Sequence, residues 1–235
     1  MRVLYGITFA VAVAVLATTL GVRAQDVGKA VPGGGIKIAG WQATVDAGEA
    51  KAGLTVESAK FVMEGNTIHV TTGPAITYWN PKNVAMGNYT VKATFNEKEY
   101  MNLNDHPHPY GIVIGGNDLG TPNATLLYCS AYGNGTFIVR GFAPTANGTW
   151  GLLRKPEANA AVNKAAGKGS PVTQEIGLSV KGDKIECAIN GTVVGSYDKA
   201  AAIGEGKLKS TDGVYGLRFA HNTEATVTGF AMSKN

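Results

Sequence analysis

From residue 59 onward the chain alternates. In NYTVKATF, Tyr89, Val91, Ala93 and Phe95 fall on one side, and Thr90, Lys92 and Thr94 on the other. A period of two is the mark of a half-buried strand. The same rhythm, or a short apolar run, recurs in KFVMEG (60–65), NTIHVTT (66–72), AITYWN (75–80), YGIVIGG (110–116), ATLLYCSAY (124–132) and GTFIVRGF (135–142). It continues in TQEIGLSVKG (173–182), DKIECAIN (183–190), TVVGSYD (192–198), GVYGLRFAHN (213–222) and ATVTGFAM (225–232). Turn residues sit where hairpins need them: Glu64-Gly65-Asn66, Asn134-Gly135, Gly182-Asp183 and Asn190-Gly191. Helix-period stretches are nearly absent and no strand–helix–strand rhythm appears. The pattern predicts an all-β antiparallel sandwich or barrel.

Three regions depart from it. Residues 1–24 carry a basic start, an apolar run from Val3 to Gly21, and Val22-Arg23-Ala24 before polar Gln25. That is the form of a cleaved secretory signal peptide, which places the protein outside the cytoplasm, secreted or periplasmic, with no membrane span after cleavage. Residues 25–40, QDVGKAVPGGGIKIAG, read as a flexible leader, and 41–235 as one β domain. Within that domain 143–171 reads as a long insertion, with a short helix around Glu157 to Ala166 and Trp150 with Leu152 as its apolar anchor to the body.

Composition adds two limits. Removing Arg2 and Arg23 from the 21 basic residues leaves 19 against 17 acidic ones, a net charge of +2 with no basic block. Nucleic acid is a poor partner for such a surface. The two cysteines, Cys129 and Cys187, lie in strand-like runs, and alternation with Ile185 and Ile189 turns Cys187 toward a core. An exported protein keeps a disulfide. Buried thiols are the equal alternative. Five Asn-x-Thr sequons, at Asn88, Asn123, Asn134, Asn147 and Asn190, read as turn chemistry.

The candidate chemistry begins at HPHPYGIVIGGND (106–118). Proline biases the residue before it to extended backbone, so His106 and His108 project to one side at the entry of a strand. His-x-His in that geometry can serve one ion, with Asp105, Asp118 or a distant histidine as third ligand. GGNDLGTPN (115–123) offers the oxygens of Asn117, Asp118 and Asn123, a set compatible with a divalent metal such as calcium. The metal candidates are thus His106, His108 and Asp118. For carbohydrate the candidates are Tyr78, Trp79, Tyr132, Arg140, Trp150 and Asn222, which combine flat apolar faces with planar polar groups. Tyr78 and Trp79 are adjacent, so they face opposite sides and one lies outside the core. Arg218 stands among small residues on its strand face, and His69 shares a polar face with Thr67 and Thr71.

The succession KFVMEGNTIHVTTGPAITYW, GNYTVKATF, YGIVIGG, LSVKGDKIECAINGTVVGSYD and DGVYGLRFAHN resembles the concanavalin A-like jelly rolls. Within them it looks most like the secreted 3-keto-disaccharide hydrolase (glucanase-like) domains. GDKIECAINGTVVGSYD is similar to that family's closing hairpin, and GVYGLRFAH to its final core strand. The resemblance spans roughly residues 59–232 and implies a jelly-roll β-sandwich that recognises or processes carbohydrate. For an enzyme it implies hydrolysis of a 3-keto-glycoside. His69, His221 and one of His106 or His108 would act as acid–base or metal-binding groups, and Arg218 would orient substrate. The β-glucanase signature Glu-x-Asp-x-x-Glu is absent. A non-catalytic lectin-like module and a structural cell-envelope protein are the other two classes this sequence admits.

Overall fold

The computed structural model describes residues 28–145 and 148–235. The expected signal peptide and the Asn147 sequon lie outside them. Two sheets face each other. The first runs in the order β1 (Gly35–Ile36), β3 (Lys60–Glu64), β4 (Thr67–Thr71), β16 (Glu224–Lys234), β6 (Tyr89–Glu97), β12 (Val172–Lys181), β13 (Lys184–Ile189) and β14 (Thr192–Asp198). The second runs β10 (Thr149–Gly151), β9 (Thr136–Phe142), β8 (Thr125–Tyr132), β7 (Pro109–Asn117), β15 (Gly213–Phe219), β5 (Ile76–Ala85) and β2 (Gln42–Val45), with β11 (Glu157–Ala158) also paired to β9. Neighbouring strands are antiparallel, apart from the parallel pair β1–β3. The hairpin turns fall where the sequence placed them. At Asn190-Gly191 both residues take positive φ, 50° and 81°, as the tight turn between β13 and β14 requires.

Alternation decides what meets between the sheets. Phe61, Tyr89, Val91, Phe95, Ile176 and Leu178 from the first sheet meet Tyr78, Tyr110, Ile112, Leu127 and Phe219 from the second, all fully buried. Tyr78 stacks on Phe61 at 4.2 Å between ring centroids. Cys129 on β8 and Cys187 on β13 form a disulfide that joins the two sheets through this core. Their Cα atoms are 6.0 Å apart, inside the range a bridge spans.

Two expectations are corrected. Residues 28–40 are built into the body and are no leader. The Val31, Gly35 and Lys37 amides donate to the Ser58, Ala59 and Phe61 carbonyls at 3.0, 2.6 and 2.8 Å. The apolar Ile36 and Ile38 drive this, packing on the core edge. The segment 143–171 contains β10 and β11 but, among its described residues, no helix. Its Ala-rich stretch is held open by Asn159 and Asn163, whose side chains bond nearby and distant backbone in place of a helical ladder. Trp150 does anchor it. The indole lies over Gly141, where a Cβ would sit 2.5 Å from the ring, and its Nε1 donates to Phe142 O at 3.3 Å. Among the described residues no helix is long and apolar enough to cross a membrane.

Candidate functional site

One rim of the second sheet gathers most of the polar chemistry, and the strand register explains why. Antiparallel pairing sets Phe219 opposite both Tyr110 and Ile76, and Val45 opposite Ile76. The end of β15, the starts of β7 and β5 and the end of β2 therefore lie side by side. The segments just beyond them carry His221, His108 with His106, and the short helix α1 (Ala47–Lys51). Ala220 N donates to Pro109 O at 2.9 Å, closing the rim.

His106, His108 and His221 converge there. One ring nitrogen from each lies within 4.8 Å of the others. The Nε2 atoms of His106 and His108 are 2.7 Å apart. The rings of His108 and His221 meet edge to face at 4.2 Å. The Nδ1 atoms have partners of their own. Asp105 Oδ1 is 2.8 Å from Nδ1 of His106, Glu49 Oε1 is 2.8 Å from Nδ1 of His221, and the carbonyl of His221 takes Nδ1 of His108. His106 is exposed, while His108 is buried. The hydrogen bond with His106 holds the Asp105 carboxyl below the usual carboxylate range. Asn104 ties the loop down, donating from Nδ2 to the carbonyl of Asn222. Beside the cluster opens a polar cleft of about 330 Å³ lined by Lys29, residues 102–105 and Lys168.

The second feature lies on the outer face of the same sheet. A groove of about 400 Å³ has Thr77, Trp79, Leu126 and Phe142 as its floor and the loop 119–124 as one wall; Thr44 and Asp46–Gly48 also line it. Arg218 is buried below it. Its guanidinium pairs with Asp46 and lies over Phe142 and Tyr128, 5.1 and 5.9 Å from their ring centroids. Asp46 caps α1 and Glu49 lies within it, so one short segment braces Arg218 beneath the groove and His221 in the cluster.

Several sequence candidates change role. Asp118 is not a partner of His106 and His108: it stands at the far end of β7, about 30 Å along the strand, and pairs with Lys209. His221 is the third histidine. His69 is not brought to this rim. It stands on the outer face of the first sheet, 3.4 Å from Glu64. Tyr78 is a core residue and Trp79 is the one turned outward, into the groove floor. Asn222 is structural: buried in a left-handed turn (φ 46°), its Oδ1 accepts from Lys29 N at 2.8 Å. Tyr132, Arg140 and Trp150 stand outside the groove lining, and Asn117 spends its amide on the Gly115 and Asp212 carbonyls. Glu49, Asp46 and Asp105 complete the two sites. Of these only Asp105, adjacent to His106, had a sequence signal.

Glu97 secures the loop that carries the histidines, its Oε1 accepting from Met101 N at 3.1 Å. Burial pushes its carboxyl up to about 7. The folded state therefore holds a proton that the unfolded chain, titrating near 4.5, has released. Stability falls as pH rises through that window, by about 3 kcal/mol once both are ionised. Denaturant unfolding at pH 5 and pH 8 should show this loss in the natural protein and a flatter profile in Glu97→Gln. Equal pH dependence in both would contradict it.

No family model matches the chain, and no curated protein matches it in sequence. Solved structures do match in fold. A Bacillus subtilis protein of unknown function with a galectin-like fold is 11% identical, with a TM-score of 0.51 over 83% of this chain and 89% of that one. The carbohydrate binding module CBM66 from Bacillus subtilis is 9% identical, with a TM-score of 0.49 over 86% and 99%. A putative glycosyl hydrolase from Parabacteroides distasonis is 14% identical, with a TM-score of 0.47 over 83% and 99%. With its two packed sheets and this likeness, the chain has the jelly-roll β-sandwich fold of the concanavalin A-like kind.

Proposed function

We propose that this protein recognises carbohydrate outside the cytoplasm and that the sugar lies in the groove on the outer face of the second sheet. The groove itself carries the reading. It offers an apolar floor of Trp79, Leu126 and Phe142 for the C–H faces of a sugar, hydroxyls from Thr44 and Thr77, and the Asp46 carboxylate as acceptor for sugar hydroxyls. Arg218 holds that carboxylate in place from beneath, so the polar group is pre-positioned. The motif resemblance to secreted jelly rolls that process keto-glycosides points the same way. The Cys129–Cys187 disulfide fits an oxidising, extracytoplasmic compartment. A processing role, with hydrolysis of a keto-glycoside as its specific form, gains support from the three histidines on the adjoining rim.

The test is calorimetry of the protein against neutral, acidic and keto-sugar oligosaccharides, beside Ala124→Trp. Ala124 lines the groove, and an indole there fills it without entering the core. The expected result is binding by the natural protein and at least a tenfold loss in Ala124→Trp at unchanged thermal stability. Equal affinity in both would place the ligand elsewhere.

A further inference from the structure

We propose that the groove selects neutral saccharides and turns away those that carry carboxylates, with Asp46 as the discriminating residue. The selectivity rests on the groove being the saccharide site. Of the described residues that line it, Asp46 alone is charged, and the rest are apolar residues, glycines and threonines. Threonine hydroxyls both donate and accept, so they do not tell a neutral sugar from an acidic one. An ionised carboxylate only accepts, so what meets it must donate. Asp46 stands at the N-cap of α1, where an aspartate ordinarily takes a backbone N–H of the first turn, yet its side chain makes no such bond. It turns instead to Arg218, whose Nη2 donates to Oδ2.

Arg218 does not cancel that charge in full for a ligand. Its side chain is 9% exposed against 27% for Asp46, and its Nη1 is buried. The anion of the pair therefore meets the groove, and the cation lies behind it. Among the described residues no lysine, arginine or histidine lines the groove; Arg140, two residues along β9 from Phe142, stands outside it. The floor of Trp79, Leu126 and Phe142 keeps the local dielectric low, which strengthens repulsion between like charges. Two such charges about 5 Å apart, at an effective dielectric of about 20, lose on the order of 100-fold in affinity. Arg218 behind the carboxylate and water at its open side reduce this, and about tenfold is the smallest loss expected. Every ring of an oligouronate carries a carboxylate, so sliding along the groove only brings another one to Asp46.

The experiment is calorimetry of the purified protein with matched trisaccharides: cellotriose, maltotriose and galactotriose, each beside the form in which every C6 hydroxymethyl is a carboxylate. Each pair is measured at about 20 mM and about 500 mM salt, which spans weak to strong screening. The expected result is that a neutral trisaccharide binds and its carboxylate form binds at least about tenfold more weakly at low salt, with the ratio shrinking at high salt. Asp46→Asn/Arg218→Met removes both charges and keeps the shape of the groove, and should bring the two forms to similar affinity. If that variant fails to fold, the salt dependence of the natural protein decides the matter. A carboxylate form that binds as tightly as its neutral partner, or more tightly, would overturn the selectivity; if Ala124→Trp blocks that binding, the groove remains the saccharide site. A ratio that neither salt nor the double variant changes would mean exclusion by shape and would overturn the role of Asp46. Binding of no trisaccharide of either kind would remove the groove reading and the selectivity with it.

Discussion

Reducing the Cys129–Cys187 bridge is expected to cost the fold about 4 kcal/mol, the loop-closure entropy of the cross-link. The bridge closes 58 residues of sequence and ties β8 of one sheet to β13 of the other. The span includes the 143–171 segment, which without the bridge would enlarge the freedom of the unfolded chain. Both sulfurs are fully buried, so a Cys129→Ala/Cys187→Ala protein also loses packing between the sheets. Urea unfolding with and without reductant measures the effect. A midpoint that does not move would mean that the sandwich derives its stability from packing alone.

The second large effect should come from Asp46→Ala, at about 3 kcal/mol. Arg218 is buried between Tyr128 and Phe142, and its Nη1 reaches no acceptor among the described residues. Removing this carboxylate strands a charge in apolar surroundings, and breaking a buried pair from one side costs roughly 3–5 kcal/mol. The lower end applies because Asp46 keeps 27% of its side-chain surface open, so water can follow the deletion. Arg218→Met should cost far less, about 1 kcal/mol, because an apolar chain suits the two rings and Asp46 can be hydrated. Chemical denaturation of both variants reads this asymmetry. Equal losses would show that the pair acts as packing, with no stranded charge.

The fold was legible because each local signal agreed with the others. Alternation in NYTVKATF placed Tyr89, Val91 and Phe95 in the core, where they lie, and Asn190-Gly191 announced a tight hairpin. Alternation also turned Cys187 inward but could not say whether Cys129 would face it, since that depends on how the two sheets stack. The same limit governed Tyr78 and Trp79. Period two says that they point to opposite sides, and only the packing of β5 against Phe61 says which is the core.

The site was legible in part. His106 and His108 were found by their prolines, and His221 was already a candidate. That the three meet depends on the register of β7 with β15, a pairing between distant segments that no local pattern encodes. Asp118 was drawn in by sequence nearness, yet an extended strand carries residues apart faster than any other structure. Asp46 and Glu49 gave no signal at all. Glu49 lies on a five-residue helix with no buried residue and Asp46 caps it, and their partners are His221 and Arg218, far along the chain.

The most direct test of the account is diffraction from crystals grown with the tightest-binding saccharide of the panel. The expected result is a sugar ring over Trp79 and Phe142, with a hydroxyl donating to the Asp46 carboxylate. A saccharide seated on the outer face of the first sheet, with the groove open to solvent, would contradict it.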